Sequence, residues 1–249
     1  MIQKRGQVGF SQRVKLEWLE LAASHAMAGS NEGETCDALR ELLRNEVSVG
    51  SDAERGNREK IITIVKRIWL SNEDSFQGLR QRGIGLLRRL PKEMHIVVHW
   101  GMAIAVYPFW NAVADAVGRL LRLQGTVGAA QFQRRLKEQY GERETVARSA
   151  RRIIRSFVDW AVLLEGERKG TYQASKIIRV ERADIVAWLV EASLHCAPDK
   201  RISLGAITNG PGFFPFVFAP ISCDQVLSFS GNIDAIRHGL DQDLLILKE

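Results

Sequence analysis

The chain is 249 residues long, with 45% hydrophobic and 26% charged residues and only three cysteines, Cys36, Cys196 and Cys223. These values allow a sizeable core and exclude global disorder and a disulfide scaffold. The most apolar run, Ile96 to Trp110, is too short to cross a bilayer, and the net charge of +6 permits a polyanionic partner without identifying one.

The first segment, "MIQKRGQVGFSQRVK", has no apolar core of the kind a secretory signal needs, so a cytoplasmic location with no membrane partner is expected. Ser11 precedes "QRVKLEWLELAASHAM", where Val14, Trp18, Leu21, Ala22 and His25 share one helical face. Gly29 and Gly33 break the chain, and Thr35 is the expected cap of "CDALRELLRNEV", with Leu39, Leu42 and Leu43 as its stripe. After the loop "GSDAERG", the run "NREKIITIVKRIWL" aligns Ile61, Ile62, Val65, Ile68 and Trp69. "SNEDSFQGLRQRGIGLLRRL" opens on a capping box between Ser71 and Asp74 and stops before Pro91. Two apolar helices follow, near Met94–Val106 and Phe109–Leu123. Residues 1–125 therefore read as a helical bundle.

From Thr126 the character changes. "TVGAAQFQRRLKEQYG" predicts a helix of three to four turns closed by Gly141, followed by a helix from about Glu142 to Trp160. "VLLEGERKGTYQASKIIRV" places two β-prone runs around a turn bounded by Gly166 and Gly170, with Lys176 and Arg179 on the returning strand, and "RADIVAWLVEASLHCA" adds a helix. Helix, tight turn, helix and hairpin is the order of a winged helix-turn-helix, expected over residues 126–197. In residues 198–249, Pro198, Pro211, Pro215 and Pro220 forbid long elements. "DQVLSFS", "NIDAIRHG" and "DLLILKE" suggest strand, helix and strand in a small α/β appendage, docked through Phe213, Phe214, Phe216 and Phe218. The expected fold is mainly α.

The richest stretch is "RETVARSARRIIRSFVDWAVL", residues 143–163. On a helical wheel Val146, Ala150, Ile153, Ile154, Phe157, Val158 and Ala161 fall within about 140° of arc. Arg148, Arg151, Arg152 and Arg155 take the opposite side, and no acid lies between Arg148 and Arg155. Glu144 and Asp159 at the two ends supply partial compensation. Like charges so close repel unless an anion arrives, and arginine suits bidentate contact with phosphate or guanine. Residues 126–180 hold twelve Lys and Arg against six Asp and Glu, which equals the surplus of the entire chain. Arg134, Arg135 and Lys137 on the preceding helix, Arg168 and Lys169 in the turn, and Lys176 and Arg179 beyond it are expected to meet DNA backbone, and Tyr172 is placed to reach a phosphate.

Other constellations carry less. His95 and His99 have the i, i+4 spacing of a zinc pair, but Ile96 stands where a catalytic glutamate belongs, so two hydrogen-bonded structural histidines are expected. No phosphate loop, dinucleotide fingerprint or nucleophile elbow occurs, so neither enzyme nor cofactor is expected. The six tryptophans lie on apolar stripes as core residues, with Trp160 anchoring the arginine helix to the hairpin.

A helical N-terminal part, then "YGERETVARSARRIIRSFVDWAVL" leading into a basic hairpin, then "FFPFVF" and a terminal strand, resembles the BrxA-like family of the bacterial BREX anti-phage system. That resemblance implies a NusB-like helical part, winged-helix character, DNA binding, and a role beside other defence proteins. It transfers no individual functional residue. The sequence thus points to a non-enzymatic binder of double-stranded DNA, with RNA, an acidic protein partner and a homodimer on paired half-sites as the open alternatives.

Overall fold

The computed structural model describes residues 8–47, 56–71, 74–197, 199–237 and 243–248. The chain is mainly helical, with small sheets in its second half. Helices α1 (Leu16–Ala28), α2 (Glu32–Leu43), α3 (Asn57–Trp69) and α4 (Asp74–Leu87) lead through a 3-10 turn (Lys92–Met94) into α5 (His95–Val106) and α6 (Pro108–Gln124). Next come β1 (Thr126–Gly128), α7 (Ala129–Tyr140), α8 (Glu144–Asp159), β2 (Leu163–Glu165), β3 (Thr171–Ala174) and β4 (Ile178–Val180). The chain continues with α9 (Ala183–Cys196), β5 (Arg201–Ser203), α10 (Leu204–Thr208), a 3-10 turn (Pro211–Phe213) and β6 (Phe216–Phe218). It closes with α11 (Cys223–Phe229), β7 (Ile233–Arg237) and β8 (Asp243–Leu247).

Local chemistry explains most of the helix limits. Asn31, not Thr35, caps α2: its side chain accepts from Glu34 N while the Glu34 carboxylate accepts from Asn31 N, so Gly33 lies inside the helix and Thr35 is buried in it. Helix α1 begins four residues later than the sequence suggests, because Gln12 to Lys15 are drawn across the protein. Val14 N donates to Ser156 Oγ at 2.9 Å and Gln12 Nε2 to Asn57 Oδ1 at 3.0 Å. The capping box expected at Ser71 and most of the "GSDAERG" loop lie outside the described residues. Pro108 opens α6 at a position where its missing N–H costs nothing.

Helix α5 is the hub. Every residue from Ile96 to Val106 is buried, and α9 packs along it with Ile185 to Leu194 also buried. No single described helix is long and apolar enough to cross a membrane. One hydrophobic cluster runs from Phe10 to Leu245 and includes residues from each of the three expected regions. At its centre Trp100 stacks on Phe157 of α8 at 4.9 Å and meets Trp110 of α6, Phe214 and Phe216 edge-on at 5.4, 5.7 and 5.5 Å. The docking expected through the phenylalanines is present: Phe213, Phe214 and Phe216 are buried and Phe218 packs on the same cluster.

Three sheets form. The first has the order β1-β3-β2, antiparallel throughout, with Val127 opposite Tyr172 and Leu164 opposite Gln173. The second pairs β4 with β6 in parallel, and the third has the order β5-β8-β7. Two readings of the last fifty residues are reversed. "DQVLSFS" is helix α11, opened by a capping box between Ser222 and Gln225, and "NIDAIR" supplies strand β7, pairing with β8 from Ile233↔Leu247 to Arg237↔Asp243. The remainder of "NIDAIRHG" lies outside the described residues. Strand β1 is also a correction, since residues 126–128 pair with β3 instead of extending α7.

Candidate nucleic-acid interface

Helix α8 separates its two faces as the periodicity requires. Val146, Ala150, Ile153, Ile154 and Phe157 are buried, whereas Arg148, Arg151, Arg152 and Arg155 are exposed. Ala161 leaves the expected apolar face, because the helix ends at Asp159 and the chain turns at Ala161 with φ +53°. The inner face is pinned as well as packed. Ser156 Oγ accepts from Val14 N and donates to Arg152 O, and Trp160 Nε1 donates to Val14 O at 3.0 Å. Trp160 therefore anchors the helix to the N-terminal segment.

The outer face is not free of carboxylates. Glu144 Oε1 lies 3.1 Å from Arg151 and 3.7 Å from Arg148, and Arg155 pairs with Glu165 on β2. Arg152 has no carboxylate partner among the described residues. Asp159 is taken by Arg13, so it offers no compensation to the helix arginines. The expectation of guanidiniums held apart from acids is thus corrected for three of the four. Helical spacing brings Glu144 within reach, and the hairpin brings in Glu165. These pairs leave their side chains between 53% and 64% exposed. Exposed ion pairs contribute roughly 0–1 kcal/mol, little enough for a phosphate to replace the carboxylate.

The flanking cations separate into two groups. Arg134 sits 4.0 Å from Glu138, Lys137 3.9 Å from Glu142, and both belong to α7 beside α8. Arg135 on the same helix and Arg168 and Lys169 in the β2–β3 turn are exposed and without carboxylate partners among the described residues. That turn is well defined: Thr171 donates both N–H and Oγ–H to Arg168 O, and Gly170 supplies φ +79°. Lys176 lies past the end of β3, and Arg179 sits in β4, whose partner is β6. Arg179 thus belongs to a different strand pair from the hairpin, and Lys176 to no strand at all, which is a second correction. A third concerns Tyr172, which is buried on β3 instead of standing out from the surface. Arg143, not named among the expected contacts, occupies the position just before α8, is exposed, and donates to Tyr140 O. Its place directly before the helix was the available signal.

The histidine pair resolves into a buried polar network. Trp69 Nε1 donates to His99 Nδ1 at 3.0 Å, so the His99 proton resides on Nε2, which faces Glu20 Oε1 at 3.2 Å, off the line of an ideal hydrogen bond. His95 Nδ1 lies 3.1 Å from both Glu20 oxygens and its Nε2 is 3.2 Å from Leu90 O. Among the described residues no group of three or more His, Cys, Asp or Glu is arranged to hold a metal ion. Burial pushes the His99 imidazole below its ordinary value against the opposing pull of Glu20, and burial also lowers His195. Burial pushes the Glu20 carboxyl up, but the contacts with His99 and His95 outweigh it and hold it below the usual range.

The sign follows directly. Below the ordinary histidine value near 6.5, the unfolded chain binds protons that the folded chain refuses, so acid favours unfolding. Urea midpoints are expected to fall between about pH 7 and about pH 5, with each histidine contributing up to about 1.4 kcal/mol per pH unit. His99→Gln should flatten that dependence. A stability constant across the window would show that neither imidazole is held neutral.

Comparison with family models, curated proteins and solved structures finds no match to this chain.

Proposed function

We propose that residues 108–174 form a winged helix-turn-helix and that the protein binds double-stranded DNA through α8, with no catalytic role. The observation that carries the reading is the topology around the arginine face. The order α6, β1, α7, α8, β2, β3 with strands arranged β1-β3-β2 is that of a winged helix, in which the last helix enters the major groove. In this reading α6 is the first helix of the motif, and β1 completes the sheet that carries the wing.

The charge distribution supports it. Arg148, Arg151, Arg152 and Arg155 face outward from a helix fixed on its other side by core packing, and the Arg155–Glu165 pair sets that face beside the wing. Arg134, Arg135 and Lys137 on α7, with Arg168 and Lys169 at the wing tip, would follow the backbone. Lys176, past the end of β3, and Arg179, in the separate strand pair, would extend the footprint only at its margin. The resemblance to the BrxA-like family extends the proposal to an accessory role in anti-phage defence, which rests on that resemblance alone.

A gel shift at low and moderate salt tests the assignment. Wild-type protein should bind duplex with an affinity that falls steeply with salt. Arg148→Ala/Arg152→Ala should weaken binding by about tenfold or more and flatten the salt slope by about two. Equal retention of duplex by both proteins would remove α8 as the reading helix. A preference for RNA would replace DNA as the ligand.

A further inference from the structure

We propose that Glu144 and Glu165 are specificity-determining residues: they occupy the interface arginines as internal competitors for phosphate, and so suppress binding to duplex of arbitrary sequence. This rests on the reading of α8 as the DNA-facing helix.

Glu144 does more than the partial compensation expected of it, and Glu165 joins the face only through the fold. Glu144 sits in the first turn of α8, beside the N-terminal end that approaches bases in such motifs. The partial positive charge of the helix N-terminus favours it there, and it engages Arg148 and Arg151 together. Glu165 ends β2 at the base of the wing and engages Arg155. Fold stability does not account for them, because pairs this exposed add little. Their chemical consequence is larger. A phosphate approaching Arg148, Arg151 or Arg155 must displace a carboxylate already in place and then remain close to it, a like-charge contact. A groove floor that presents amino groups, such as cytosine N4, satisfies the same carboxylates. Arg152, Arg168 and Lys169, without carboxylate partners among the described residues, would make the first, indiscriminate contacts. The paired arginines would then be released only on a matching site. Discrimination of this kind comes from penalising the wrong partner as much as from rewarding the right one.

Glutamine keeps the size of both side chains and removes the charge. The experiment measures binding of wild type, Glu144→Gln/Glu165→Gln and Glu167→Gln to a mixed-sequence duplex by fluorescence anisotropy across a salt series. Glu167 lies in the same turn, is exposed, and has no Lys or Arg within ion-pair distance among the described residues. It controls for charge alone. The double variant should bind about tenfold more tightly than wild type, with a salt slope steeper by about one to two, while Glu167→Gln shows a clearly smaller gain. Melting temperatures of all three should agree within a few degrees, since only exposed pairs and one helix-terminus charge change. Binding by the double variant equal to or weaker than wild type overturns the proposal, as does an equal gain from Glu167→Gln. If none of the proteins binds duplex at low salt, the interface itself is wrong and the carboxylate role falls with it; that outcome is separate from binding without discrimination.

Discussion

Trp100→Ala is expected to cost about 3–5 kcal/mol of unfolding free energy, a large part of the 5–15 kcal/mol that holds a typical domain together. The indole is fully buried and touches aromatic rings on α6, α8 and the segment ending in β6. Its Nε1 also donates to Gly212 O at 3.3 Å. Truncation would remove packing from three parts of the chain at once and leave one cavity that none can fill without moving the others. Urea unfolding followed by circular dichroism should therefore show one transition at a lower midpoint. A loss below about 1 kcal/mol, or two separate transitions, would mean that the parts do not share this core.

Gly118→Ala should destabilise by several kcal/mol or prevent folding, although helix propensity alone favours alanine by about 1 kcal/mol. A Cβ at position 118 on α6 would lie 1.9 Å from Pro211 O and 2.7 Å from Pro211 C. Both are backbone atoms of the 3-10 turn seated on the helix, so no rotamer change relieves the overlap. Gly85→Ala is the internal contrast. Its Cβ would meet nothing within 4 Å, and on α4 it should stabilise by roughly 0.5–1 kcal/mol through lower unfolded-state entropy. Thermal melts of the two variants should shift in opposite directions. A neutral Gly118→Ala would show that the turn does not pack on α6 as described.

Much of the fold and of the candidate site was legible in advance, and for identifiable reasons. The six tryptophans are buried where apolar stripes placed them. The arginine face points outward because Val146, Ala150, Ile153 and Phe157 must be covered. Some errors had signals that were present and overlooked: Asn31 with Glu34, and Ser222 with Gln225, are capping boxes written in four residues. The pairing of Glu144 with Arg148, an i, i+4 relation, lies within the partial compensation expected of that glutamate.

What the sequence determined by itself was the orientation of the amphipathic helices such as α3 and α8, since an amphipathic face is a local pattern repeated over many turns. Only the tertiary structure decided which short runs became strands and which cations kept a carboxylate. Three residues such as Thr126–Gly128 have no hydrogen bonds of their own to make; they are a strand because β3 lies alongside. Likewise Arg155 meets Glu165, and Asp159 turns to Arg13, through chain reversals that bring distant positions together. Repetition along a segment is written in the order of residues, whereas partnership between segments depends on where the folded chain puts them.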